Sequence, residues 1–120
     1  MVSDAVFGPL VVFGAGGTTT DVLDDRTYRL TPLTDLDADA MLAAPRCARL
    51  LAGYRGAPAA DRAALRDVLL RVGALADRLP EVVELDINPL LARPDGCVAL
   101  DARIRVARRH IPDHTLPRLR

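Results

Sequence analysis

The chain has 120 residues, half of them hydrophobic and 27% charged, with sixteen basic side chains balancing sixteen acidic ones. That length suits one globular domain, and a net charge of zero gives no basic surface to recommend nucleic acid as a partner. Every basic residue is Arg and the lone Ser is Ser3, which excludes P-loop and Schiff-base lysines and any G-x-S-x-G nucleophile elbow.

The first apolar run, Leu10-Val11-Val12-Phe13, lies between Phe7-Gly8-Pro9 and Gly14-Ala15-Gly16-Gly17. A short apolar run with these boundaries reads as a buried strand ending in a glycine turn. Arg26 to Leu30 alternates weakly as a second strand, closed by Pro32. Thr34 and Asp37 then have the spacing of a capping box, with Asp in place of the preferred Glu. Ala38, Met41 and Leu42 follow at helical spacing. A second short helix is expected over 46–51, ending at Gly53, and Tyr54-Arg55-Gly56 reads as a loop. Pro58 or Asp61 opens the clearest helix. Leu65, Val68, Leu69, Val72, Leu75, Ala76 and Leu79 recur at i, i+3, i+4, i+7 until Pro80 stops it.

The last structured part reads as a β-hairpin. Val83, Leu85 and Ile87 point one way and Glu84, Asp86 and Asn88 the other, while Val98, Leu100, Ile104 and Val106 oppose Asp101, Arg103 and Arg105. Arg93-Pro94-Asp95-Gly96 is a turn sequence. The long helix is expected to pack on the apolar hairpin face of Val83, Leu85, Ile87, Leu100 and Ile104. Residues 109–120 read as a loosely held tail after a domain spanning 1–108. The order β-β-α-α-β-β gives an α+β fold, an antiparallel sheet with helices on one face.

For the polar faces of the hairpin to coincide, facing residues must sum to an odd number. A four-residue loop at 93–96 meets that condition and sets Asn88 opposite Asp101, Asp86 opposite Arg103 and Glu84 opposite Arg105. Asn and Asp oxygens then converge, and Mg²⁺ prefers one or two such side chains completed by water and phosphate. The same face also reads as a solvated one with weak Asp–Arg pairs. The glycine turn has the backbone N–H groups to face a phosphate, or serves only to join two strands. Asp21 sits near it. It is not a dinucleotide fingerprint, since Thr19 stands where a third glycine is wanted. Arg55 reads as a turn arginine or an anion contact. His110 and His114 have metal-pair spacing, but Pro112 between them disrupts the helix required. Cys47 and Cys97 lack C-x-x-C spacing and read as reduced thiols of a cytoplasmic protein. No apolar run approaches the ~20 residues that span a bilayer, so a membrane is not an expected partner.

The run from Phe7 to Gly17, the block Leu50-Leu51-Ala52-Gly53-Tyr54-Arg55-Gly56, the block Glu84-Leu85-Asp86-Ile87-Asn88-Pro89-Leu90-Leu91 and Leu100-Asp101-Ala102-Arg103 occur in that order. Together they resemble the ATP-grasp module of NDP-forming acyl-CoA synthetases, the ADP-forming acetate–CoA ligases related to succinyl-CoA synthetase. The resemblance runs from Asp4 to Val106. It implies that Asn88 and Asp101 bind Mg²⁺ bridging ATP phosphates, with Asp86 as an auxiliary ligand. It also implies nucleotide or phosphate contacts for Gly16, Gly17 and Asp21, the last standing where the family usually has Glu.

The resemblance further implies the second lobe of an ATP-grasp fold, incomplete at the N-terminus. The first lobe, its nucleotide-binding lysine, the strand partner of Phe7–Phe13 and the CoA-binding domains are expected upstream of Met1, in cis or in trans. Leu116 to Arg120 resembles a natural end of such synthetases, so a split or truncated gene product is expected. Two function classes follow: a catalytic half inactive without its partner, or a non-catalytic ligase-like module such as those fused to protein acetyltransferases.

Overall fold

The computed structural model describes residues 1–16 and 24–108. Three strands come first: β1 (Val2–Asp4), β2 (Gly8–Gly14) and β3 (Arg26–Leu30). Helices α1 (Asp35–Ala43), α2 (Ala48–Leu51) and α3 (Arg62–Arg78) follow, then β4 (Val82–Ile87), β5 (Leu90–Arg93), β6 (Gly96–Ala99) and β7 (Ala102–Val106). Five strands form one antiparallel sheet in the order β3-β2-β1-β4-β7, and β5 and β6 form a separate ribbon. The glycine-turn residues Gly17 and Asp21 and the tail 109–120, with its His110 and His114, lie outside the described residues.

The expected α+β class with an antiparallel sheet is observed; the order is richer. The strand partners of β2 are both within this chain, β1 on one side and β3 on the other. β1 turns into β2 because the Asp4 carboxylate accepts the backbone N–H groups of Val6 (2.8 Å) and Phe7 (2.9 Å). Gly8 completes that turn with φ +83°, a conformation that costs glycine little.

Local chemistry sets the helix starts. Thr34 and Asp37 form the capping box reciprocally: Asp37 N–H donates to Thr34 Oγ1 at 3.1 Å and Thr34 N–H to Asp37 Oδ2 at 2.8 Å. Asp61 caps α3 through Ala64 N–H at 3.0 Å, and its own N–H donates to Arg93 O at 2.8 Å. That second bond ties the start of α3 to the β5–β6 ribbon.

The main core joins Val11 of β2, Ala38, Met41 and Leu42 of α1, and Leu65 and Leu69 of α3. A second cluster joins Met1, Ala76, Val82 and Leu85. Helix α3 therefore packs chiefly on β2 and α1 and meets the hairpin only through β4 and the ribbon. This corrects the expected packing, because Leu79, Leu100 and Ile104 are exposed, Ile104 at 57%. An amphipathic pattern identifies the face a helix buries, not the partner that covers it.

The hairpin register is the expected one. Glu84 faces Arg105, Asp86 faces Arg103 and Ile87 faces Ala102; Leu90 faces Ala99 and Arg93 faces Gly96. One hairpin is nevertheless divided into two ladders. Pro89 has no N–H to give the ladder, and the chain corners there. Asn88 N–H to Asp101 O (3.1 Å) and Leu100 N–H to Pro89 O (3.0 Å) join the two ladders across the corner. The connecting turn is only Pro94-Asp95, with Arg93 Nε and Nη2 gripping the Asp95 carboxylate at 3.0 and 2.9 Å.

Candidate functional site

The sheet topology brings distant segments to one end. β2 and β4 are each antiparallel to β1, so they run in the same direction. Val2 stands opposite Leu10 on one side and Glu84 on the other. Four residues further along each strand, Gly14 and Asn88 reach the same level. The glycine turn and the hairpin corner then meet. A Cβ built on Gly16 would stand 3.3 Å from Asn88 Oδ1 and 3.8 Å from Pro89 Cβ. Gly16 has no left-handed φ, so the closeness to Asn88, rather than backbone conformation, is what favours glycine there.

Asn88 and Asp101 occupy the next step of the β4–β7 register beyond Ile87 and Ala102, joined by their backbone bond. Residues facing each other across a ladder share one side of the sheet, so the structure brings these two together and sets Asp86 two residues before Asn88 on that side. All three are exposed. The Arg103 guanidinium, opposite Asp86 in register, directs Nε to Asp101 Oδ2 at 3.5 Å. Arg105 Nε meets Glu84 Oε2 at 3.1 Å.

The donor chemistry fits a hard cation that keeps most of its shell. One amide oxygen and one or two carboxylates lie at a solvent-facing corner. Among the described residues no group of three or more His, Cys, Asp or Glu side chains is placed to hold a metal. Mg²⁺ is ordinarily bound by one or two carboxylates together with water and phosphate, not by an all-protein cage. The corner also opens onto a cleft of about 860 Å³ that Gly14, Gly16, Asp86 and Asn88 border at one end.

A second hollow, of about 850 Å³, is bordered by Ala15, Asp25, Arg46, Cys47 and Tyr54. Sequence reasoning missed Asp25. Its carboxylate accepts the N–H groups of Arg46 (2.7 Å) and Cys47 (2.8 Å), and these bonds hold it below the usual carboxylate range. Burial, then the Asp25 charge, pushes the Cys47 thiol up. Arg55 has φ +50° and lies over the Tyr54 ring, 5.2 Å from its centroid.

Residues 1–106 match the ATP-grasp domain family, and the chain belongs to it. Its relatives narrow the group. The chain is 42% identical over 104 residues to acetate–CoA ligase [ADP-forming] I subunit beta of Pyrococcus furiosus, a match covering 87% of this chain and 45% of that subunit. It is 40% identical over 114 residues to acetate–CoA ligase [ADP-forming] II of Archaeoglobus fulgidus, covering 95% of this chain and 17% of the relative. Among solved structures it superimposes, with a TM-score of 0.86 and 37% identity, on an acetyl-coenzyme A synthetase 1 of Ca. Korarchaeum cryptofilum in complex with coenzyme A and Mg-AMPPCP. That match covers 88% of this chain and 50% of the other. The chain thus spans at most about half the length of these relatives.

Proposed function

We propose that residues 1–108 are the C-terminal nucleotide- and Mg²⁺-binding lobe of an ADP-forming acyl-CoA synthetase, with 109–120 as a tail. The reaction of the whole enzyme is acid, CoA and ATP to acyl-CoA, ADP and phosphate, carried out in the cytoplasm without membrane or nucleic acid. One observation supports the reading above others: Gly16, Asn88 and Asp101 come together at one end of the sheet in a chain homologous to such ligases.

In this reading Asn88 Oδ1 and the Asp101 carboxylate hold the ion and Asp86 assists. Bound Mg²⁺ neutralises phosphate charge during transfer. Gly16 offers its backbone N–H to phosphate at a place where a side chain would crowd Asn88, and Gly17 and Asp21, outside the described residues, are assigned contacts with the same ligand by the family resemblance. Arg103 pairs loosely with one Asp101 oxygen at 3.5 Å, which leaves the other oxygen for the ion. The opposing lobe, the nucleotide lysine and the CoA-binding domains come from the complementary part of the enzyme, and the chain is inactive without them.

The test is to supply the missing domains and measure ADP formation dependent on acid and CoA. Asn88→Ala and Asp101→Ala are each expected to abolish it while circular dichroism stays unchanged. Full activity in the double variant would exclude the site.

A further inference from the structure

Two arginines of β7 share the side of the sheet that carries Asn88 and Asp101. Arg105 reaches across the ladder to the residue it faces, with Nε donating to Glu84 Oε2 at 3.1 Å. Arg103 faces Asp86 in register, yet its guanidinium turns along its own strand and lies 3.5 Å from Asp101 Oδ2. At that length the attraction is coulombic and no hydrogen bond holds it. It is the longest of the ion pairs between described residues. The Arg103 side chain is 82% exposed, so it can re-orient without unpacking anything.

This placement sets a positive charge against a carboxylate that is offered to a dication. The Asp101 oxygen that Arg103 does not face is open to the ion, and the guanidinium then stands a few ångströms away. A unit charge about 5 Å from a dication changes its affinity roughly tenfold in water, and about three- to fivefold once salt screens it. The same guanidinium suits phosphate. Phosphate oxygens accept guanidinium N–H groups in bidentate, charge-assisted bonds, whereas an exposed pair with one carboxylate is worth little. Gly16 borders the corner from the β2 side and Arg103 from the β7 side, so phosphate bound at the corner is flanked by both.

We propose that Arg103 couples the divalent ion to the nucleotide. Without phosphate, its charge beside Asp101 keeps a divalent cation weakly bound. Nucleotide phosphate draws the guanidinium off Asp101, and a repulsion becomes a contact that holds ion and nucleotide together. Coupling of this kind is reciprocal, so the ion and a nucleoside triphosphate enter as one. This rests on the function proposed above.

The test measures the two ligands separately on the full chain. Mn²⁺ binding without nucleotide is read from the electron paramagnetic resonance of the free ion, and Mg·AMPPCP binding by calorimetry. Arg103→Ala is expected to bind Mn²⁺ about three- to fivefold more tightly than the parent, and Mg·AMPPCP about tenfold more weakly. Adding Asn88→Ala is expected to abolish the gain in Mn²⁺ affinity, which ties that gain to the corner. Arg103→Lys keeps the charge and is expected to hold Mn²⁺ within about twofold of the parent. Arg105→Ala, one step along the same side, is expected to leave both affinities within about twofold. Mn²⁺ affinity that does not rise in Arg103→Ala, or Mg·AMPPCP affinity that does not fall, would overturn the proposal; a damaged fold lowers both and cannot imitate the opposite signs. Asn88→Ala that binds Mg·AMPPCP as well as the parent, or a parent that binds none, would defeat the site reading and this proposal with it. The two failures are therefore distinct.

Discussion

Replacing Gly16 by Ala separates crowding at the site from damage to the fold. The added Cβ would meet Asn88 Oδ1 at 3.3 Å and Pro89 Cβ at 3.8 Å. The second distance is ordinary contact; the first requires the amide oxygen to move by a few tenths of an ångström. That motion is easy, because the terminal torsion of Asn is soft, and Gly16 has no left-handed φ to strain. Alanine also lowers the entropy of the unfolded chain by an amount worth about 0.4–1 kcal/mol. Net stability is therefore expected to change by less than about 0.5 kcal/mol. Binding is less forgiving, since Mg²⁺ demands near-ideal octahedral geometry, and even reaction rates fall about 10²-fold for a 1 Å misplacement. A displacement several times smaller is expected to weaken Mg·nucleotide binding about three- to tenfold. Urea unfolding followed by circular dichroism gives the first quantity and titration with Mg·AMPPCP the second. Unchanged affinity in Gly16→Ala beside a large loss in Asn88→Ala would refute the placement of Gly16 at the ligand. A stability loss above about 2 kcal/mol would show that Gly16 serves the fold instead.

Leu42 is fully buried and does not border the cleft; Leu42→Ala is expected to cost about 3–4 kcal/mol in urea unfolding, and Ile104→Ala, more than half exposed, under about 1 kcal/mol. Asp25 is held below its ordinary value first by the Arg46 N–H, so its stabilisation is full above the unfolded carboxylate value of about 3.9 and fades as pH falls through the lowered one. Asp25→Ala should accordingly be less stable than the parent at pH 7, with the gap closing in acid; a gap that persists at pH 2 would contradict this. The same substitution removes a charge that raises the Cys47 thiol, so alkylation of Cys47 by iodoacetamide at pH 8 should quicken. The 120-residue chain with acetate, CoA, ATP and Mg²⁺ is expected to form no acyl-CoA; turnover by the chain alone would show that it is more than half a site.

What the sequence disclosed depended on how local the cause was. Period-two alternation around a Pro-Asp turn determined the hairpin register, and with it the meeting of Asn88 and Asp101. The Thr34 box and the Asp61 cap were legible because each bond spans three residues. β1 was not: three residues carry no period, although Asp4 and Gly8 bracket it with turn chemistry. Its pairing with β4 is long-range, and on that pairing depends the approach of Gly16 to Asn88. The partner of α3 was equally illegible. Leu100 and Ile104 alternate like core residues, yet Leu100 lies at the bend between β6 and β7 and Ile104 on β7, and both are exposed.

The sequence itself provides the reporter for the central claim. Asn88 is the only Asn and there is no Gln, so a ¹⁵N-labelled chain shows one side-chain carboxamide pair. Titration with Mn²⁺ in the presence of AMPPCP, against the same titration with Mg²⁺, reads the distance from that amide to the bound ion. The account predicts that Mn²⁺ broadens the Asn88 carboxamide pair and the Gly16 and Asp101 amides beyond detection at concentrations that leave α1 signals sharp. An Asn88 pair that stays sharp while another region broadens would contradict it.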